Sequence, residues 1–218
     1  MSDQSLRSPI KVICFDIGGV LAHVNLTWAG AMRSAGLEPT VAEGGRLEDC
    51  HAFIDFQNGL IPLEKYLLDL AEYLQIEPRL GLEVHDGILD RPTEGTLEIV
   101  NSLIEYGLKT ACLSNTNQPH WEVLTDPIRF PNIARLQLKR ASQIYGVSKP
   151  DHKIYRLFES DAEAEPHQIL FFEDNYANYQ AALDCGWHCA LIDPRAPQDK
   201  QIVNSLSKFG IALRLSTR

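Results

Sequence analysis

The 218-residue sequence predicts an α/β protein, a doubly wound parallel sheet with a small helical domain inserted after the first strand. Short apolar runs, KVICFDIG, KTACLSN, QILFFED and HCALID, alternate with segments of helical periodicity. Each run finishes in polar or small residues. One stretch, from about Leu21 to Asp90, breaks the rhythm with helical spacing and no convincing strand. Strand and helix alternation implies a mostly parallel sheet covered on both faces, with ligands at the carboxyl ends of the strands, where the four polar ends should converge.

Taken in order, the first strand runs into Asp16-Ile17-Gly18-Gly19-Val20-Leu21, a carboxylate at the mouth of a buried strand with two glycines that let other groups approach the backbone. By itself Asp16 reads equally as a strand-end residue bonding the next turn. In the segment that follows, Leu63, Tyr66, Leu67, Leu70 and Leu74 repeat at helical spacing after Pro62. The expected organisation is a core of residues 1–20 and 91–218 with a helical unit, 21–90, placed as a lid over the carboxyl edge. Thr96 to Tyr106 reads as a helix with Leu97, Val100, Leu103 and Ile104 on one face and Gly107 to end it. The next strand ends in Ser114-Asn115-Thr116-Asn117, a cluster of hydroxyl, amide and backbone donors suited to oxyanion oxygens and equally able to make an ordinary turn. Lys149 precedes Pro150 and a helix carrying Ile154, Leu157 and Phe158; its ammonium is placed to meet an anion beside Asp16, or else solvent. The last of these strands gives Phe171-Phe172-Glu173-Asp174-Asn175. Adjacent carboxylates after so apolar a run call for a positive partner, and hard oxygen ligands suit magnesium; an acidic helix start is the other reading.

Bulk composition narrows the partners. The net charge is −9 and no basic run offers a footprint for a phosphate backbone, so nucleic acid is excluded as a partner. An anionic substrate must be drawn by a local cation or metal inside a cleft. Five cysteines without CxxC spacing, three of them within apolar runs, read as packed free thiols. The amino-terminal residues form no apolar signal, and no stretch nears the ~20 apolar residues of a spanning helix, so the expectation is a cytoplasmic protein with no membrane partner. Nothing in the sequence fixes an oligomeric state.

Together FDIGGVL, LSNTN, VSKPDHKIY and FFEDNYANYQAALDCG resemble, in order and approximate spacing, the haloacid dehalogenase (HAD) superfamily, with the helical segment where its first-type cap belongs. Within that superfamily the chain is similar to bacterial sugar-phosphate phosphatases that carry a glycine two positions after the nucleophile, the DxGxV form of the first motif. The resemblance implies a magnesium-dependent phosphatase of small phosphomonoesters working through an aspartyl-phosphate. Asp16 would be the nucleophile and a metal ligand, the Gly18 carbonyl and Asp174 further ligands, and Glu173 a ligand directly or through water that also pairs with Lys149. Ser114, the backbone around Asn115 and Lys149 would hold the phosphoryl oxygens, and Asn178 would support the last loop.

The chain departs from the family at Gly18, where most phosphatases place a second Asp as general acid and base. Losing positioned proton transfer typically costs ~10²–10⁴ in rate. His23, His51 and Asp55 are the nearest replacements in sequence. The same gap opens two alternatives, a 2-haloacid dehalogenase-type hydrolase and a catalytically impaired domain that binds phosphate or metal. Trp28, Phe53, Phe56 and Gln57 of the insert are candidate specificity residues, the aromatics being equally suited to its core.

Overall fold

Successive strand side chains point to opposite faces, and in β1 (Val12–Phe15) both sets are apolar and buried. That is the signature of a central strand covered on both sides. The structure, a computed structural model, describes residues 10–213. Its main sheet has five strands in the order β5-β4-β1-β6-β7, all pairs parallel: β4 (Lys109–Ser114), β5 (Leu138–Ala141), β6 (Ile169–Glu173) and β7 (His188–Leu191) join β1.

Ile13, Phe15, Cys112, Leu170 and Phe172 face α5 (Thr96–Glu105), α6 (Gln118–Leu124), α7 (Pro131–Ala134) and α11 (Gln198–Lys208). Val12, Cys14, Ala111, Leu113, Ile169 and Phe171 pack on the other face against α9 (His152–Ala162) and α10 (Tyr176–Asp184); α8 (Ser142–Tyr145) follows β5 directly. Between β1 and β4 a separate apolar cluster is built from α1 (Trp28–Ser34), α2 (His51–Gln57), α3 (Leu63–Leu74) and α4 (Gly81–Asp86). Each fully buried Leu or Phe in these clusters contributes about 1.5–3 kcal/mol.

The helices begin where short polar side chains satisfy their first amides: Thr27 accepts from Gly30 N, Asp151 from Lys153 N, and Asn175 from Ala177 N and Asn178 N. Gly107, at φ +89°, follows α5 in a backbone conformation that L side chains rarely adopt.

The sheet and its helices agree with the doubly wound α/β expectation, with three differences. The 21–90 stretch is flanked by a two-stranded antiparallel ribbon, β2 (Ala22–Val24) with β3 (Leu89–Pro92). The edge strand β5 was not expected: its LKRA sequence carries two cations, as an edge tolerates and a central strand does not. The buried face of α5 is Thr96, Ile99, Val100 and Leu103, while Leu97 is 38% exposed, because the helix packs around Ile99 rather than Leu97. No helix among the described residues is long and apolar enough to cross a membrane.

Candidate active site

The register Phe15↔Phe172 between β1 and β6 sets Asp16 level with Glu173, and the Asp16 amide donates to the Phe172 carbonyl at 2.8 Å. Lys149 enters from the loop before α9. Its Nζ lies 2.9 Å from Asp16 Oδ1 and 2.6 Å from Glu173 Oε2, and 5.1 Å above the Phe171 ring. The other oxygen of Glu173 accepts the amides of Asp174 and Asn175 at 3.1 and 3.0 Å, so one carboxylate fixes both the lysine and the turn after β6.

Asp16, Glu173 and Asp174 each offer an oxygen within 4.8 Å of the others. Gly19, at φ +72°, lies so close to Asp174 that a Cβ there would overlap its carboxylate; the glycine is required both by backbone conformation and by this approach. Gly18 meets only Val24, whose Cγ2 would lie 3.3 Å from an added Cβ.

Three carboxylates against one ammonium leave an excess of two negative charges in a buried site. Burial, then the Glu173 charge, pushes Asp16 up to about 7 despite Lys149. Asp174 rises to about 6, through burial and the Asp16 charge, and burial also raises Glu173. Burial works against the charge of Lys149, but Asp16 and Glu173 outweigh it and hold the ammonium protonated. The donors are all hard oxygens, gathered around uncompensated repulsion and a glycine-lined approach, and they fit a divalent cation such as Mg²⁺.

Ser114, buried at the end of β4, borders the same cavity of about 700 Å³ as Asp16, Lys149 and Asp174. Asn115 is locked to Lys149 by a reciprocal pair: its Nδ2 donates to the Lys149 carbonyl and its Oδ1 accepts the Lys149 amide, both at 2.8 Å. Its side chain is thereby spent on joining two loops, leaving the backbone to face a ligand. Asn178 borders the cavity, and its carbonyl accepts the Tyr155 hydroxyl at 2.8 Å.

The haloacid dehalogenase-like hydrolase family matches residues 10–186. The chain belongs to that family. No curated protein matches it. Among solved structures, a HAD-like family hydrolase from Porphyromonas gingivalis is similar at 23% identity and TM-score 0.74, over 91% of this chain and 98% of that one. A HAD family enzyme from Bacteroides thetaiotaomicron, in complex with magnesium and inorganic phosphate, is similar at 20% identity and TM-score 0.69, over 84% and 93%. The L-2-haloacid dehalogenase of Xanthobacter autotrophicus, with chloropropionic acid covalently bound, is similar at 19% identity and TM-score 0.61, over 95% and 90%. At these identities the likeness is one of fold.

In this HAD-like hydrolase the three replacement candidates for the missing acid lie away from the cavity wall. His23 Nε2 pairs with Glu94 at 3.1 Å, and His51 and Asp55 are exposed on α2 and do not line the cavity, as Phe53, Ile54 and Gln57 do. Of the specificity candidates, Phe53 and Gln57 line the cavity. Trp28 and Phe56 belong to the helical cluster, Trp28 edge-on to Phe53 at 5.4 Å and Phe56 stacked on Tyr66 at 4.4 Å. Arg46 and Glu48, which sequence reasoning missed, also line the cavity and bond each other at 3.2 Å. They lie outside any apolar periodicity, so nothing local in the sequence marked them.

Proposed function

We propose that this HAD-like hydrolase is a magnesium-dependent phosphatase of small phosphomonoesters, sugar phosphates foremost, acting through an aspartyl-phosphate on Asp16. The observation that carries the reading is the Asp16–Lys149–Glu173–Asp174 cluster with its negative excess, which a phosphate ester could approach only with a divalent cation in place. The neighbour holding magnesium and inorganic phosphate supports the same chemistry.

Asp16, Asp174 and the Gly18 carbonyl would hold Mg²⁺. Glu173, whose oxygens already carry Lys149 and two amides, would reach it through water. When bound, the cation neutralises phosphoryl charge and favours ionised carboxylates. Asp16, oriented through Oδ1 by Lys149, attacks phosphorus as the ester P–O bond breaks; water then cleaves the acyl phosphate, regenerating the carboxylate and releasing phosphate. Lys149 and Ser114 meet the phosphoryl oxygens. Gly18 supplies no proton to the leaving alkoxide, so the reading implies slow turnover of esters with poor leaving groups. The helical segment 21–90 acts as the lid, presenting Arg46, Gln57, Phe53 and Ile54 to the alcohol portion. Five free cysteines, four of them buried, suit a reducing cytoplasm.

The test is phosphate release from a panel of phosphomonoesters with and without Mg²⁺, comparing wild type with Asp16→Asn. Metal-dependent release lost on substitution supports the reading; release no greater than that of Asp16→Asn on every ester ends it. Arg46 favours a second reading, since the superfamily's dehalogenases are expected to cradle the departing halide with an arginine of the insert. Chloride release from 2-chloropropionate without Mg²⁺ would select it.

A further inference from the structure

The two residues that follow Ser114-Asn115 are each linked to the helical segment, Thr116 through Ser142 and Asn117 directly. Thr116 donates its amide to Ser142 Oγ at 3.0 Å, and that hydroxyl lies 2.6 Å from the carbonyl of Gln57, the last residue of α2, whose side chain borders the site cavity. Asn117 is joined to α3 and α4 by a network whose every proton is set by one helix cap.

The cap comes first. Asn117 Oδ1 accepts the His120 amide at 3.1 Å, which fixes the carboxamide with its oxygen toward α6. Its Nδ2 then donates to His120 Nδ1 at 3.3 Å, so that nitrogen is bare and the His120 proton is on Nε2, donated to the His85 carbonyl at 2.9 Å. His85 Nε2 is 3.1 Å from the same Asn117 oxygen, an acceptor only. His85 is therefore also protonated on Nε2, and its bare Nδ1 accepts the Tyr66 hydroxyl at 2.9 Å. The two imidazoles stack at 3.9 Å and 3°, and His85 is fully buried. Burial lowers the proton affinity of both rings, His120 to about 4, which agrees with a neutral, fully satisfied chain.

The hydrolysis itself uses none of these groups, and nothing about α6 alone needs a second buried imidazole. What the network does is tie α3 and α4 to the turn that presents Ser114, at the residue next to the one tied to α2. We propose that His85 is a positioning residue for the reaction. Through Asn117, and together with the Ser142 bridge, it sets the 114–117 turn, so the phosphate site is complete only while the helical segment is seated on it. Contacts a substrate makes with Gln57 or Phe53 are thereby transmitted to Ser114. This rests on the phosphatase reading above.

Wild type, His85→Phe and His85→Gln would be compared for hydrolysis of the best ester and for competitive inhibition by inorganic phosphate, both with Mg²⁺. The Gln amide nitrogen can replace Nε2 as donor to Asn117; the Phe ring fills the volume and donates nothing. Expected for His85→Phe is a fall in kcat/KM of about 10–100-fold, as for a small misplacement of a binding group. It should come with a roughly tenfold rise in both KM and the phosphate inhibition constant, uniform binding being what is lost. His85→Gln should stay within about threefold of wild type on the same scale. If His85→Phe does not fold, Ser142→Ala, which cuts the parallel bridge, must show the same direction of change in the inhibition constant. Folded His85→Phe, or in its absence Ser142→Ala, with unchanged KM and inhibition constant overturns the proposal. So does an Nδ1–H tautomer on either imidazole by long-range ¹H–¹⁵N correlation at neutral pH. No turnover by wild type on any ester removes the phosphatase reading and this inference with it; wild-type turnover with unaffected variants removes this inference alone.

Discussion

On the proposed phosphatase reading, replacing Gly18 with Asp should raise turnover. The backbone there is not in the left-handed region, unlike Gly19 at φ +72°, so an L side chain meets no conformational barrier. An added Cβ would lie 3.3 Å from Val24 Cγ2, tighter than ordinary contact, and Val24 is only partly buried on the short strand β2. Displacing it by a few tenths of an ångström costs about 0.5–1.5 kcal/mol, partly offset by the roughly 0.4–1 kcal/mol gained when a glycine's unfolded-state freedom is removed. Stability should therefore change by less than about 1 kcal/mol, while a positioned acid and base is worth ~10²–10⁴ in rate. The assay is steady-state phosphate release from an alkyl and an aryl ester in parallel. The aryl leaving group departs without a proton, so wild type should release one equivalent of the aryl alcohol in a burst, followed separately from phosphate, and then turn over slowly as water attacks the acyl phosphate. The variant should abolish the burst by speeding the second step, and should raise alkyl turnover at least a hundredfold. A folded Gly18→Asp enzyme, checked also with Val24→Ala to relieve the contact, that hydrolyses alkyl esters within threefold of wild type would show that another group already moves the proton.

Three further outcomes follow from the same cluster. Gly19→Ala should weaken magnesium binding and lower turnover by about a hundredfold, because its methyl displaces the Asp174 carboxylate, whereas Gly18→Ala should retain binding; calorimetric titration with Mg²⁺ separates them, and equal affinities would refute the packing argument. Lys149→Met leaves two buried carboxylates without their cation and should cost about 3–5 kcal/mol in urea unfolding; a loss under 1 kcal/mol would mean the carboxyls had simply taken up protons. In the metal-free protein Asp16 and Asp174 bind protons more tightly folded than unfolded, with values of about 7 and about 6 against the ordinary 3.8. Their contribution to stability is full below about pH 4 and is lost as pH rises through 6–7, while Mg²⁺ needs the ionised forms. The rise in Tm on adding Mg²⁺ should thus be small at pH 5, large at pH 8, and absent in Asp174→Asn; an equal rise at both pH values in wild type argues against these carboxylates as the ligands.

The parts of the fold that could be read from residues alone were those whose apolar runs are buried on both faces. β1, β4 and β6 stand out because a central parallel strand leaves no polar alternation to confuse with a loop, while β7, half-buried at the other sheet edge, was marked by its apolar Cys189, Ala190 and Leu191. β5, half-buried with Lys139 and Arg140 at the sheet edge, and β3, carrying Asp90, Arg91 and Pro92, have no such signal and depend on their partners to become strands. The candidate site was legible for a related reason. Asp16, Ser114, Lys149, Glu173 and Asp174 all end or follow strands or precede a helix, and the parallel sheet gathers such ends at one edge. What joins that edge to the helical segment was not legible, since it runs through the Gln57 carbonyl, the Ser142 hydroxyl and the pairing of His85 with His120, which are 35 residues apart.

β1 is flanked by β4 and β6, with further strands beyond both, so every path that frees the Asp16 backbone must first dismantle the middle of the molecule. Amides of β1 should exchange with solvent only on global unfolding, whereas residues 38–46, exposed or half-buried and largely without regular structure, can open and reclose at little cost. Arg46 stands at the end of that compliant stretch and Asp16 on the least compliant one. On the proposed reading, substitutions around Arg46 can therefore alter which molecules are admitted while the setting of Asp16 persists, an arrangement in which substrate preference can drift through many small sequence changes with the strand-end carboxylates carried along intact.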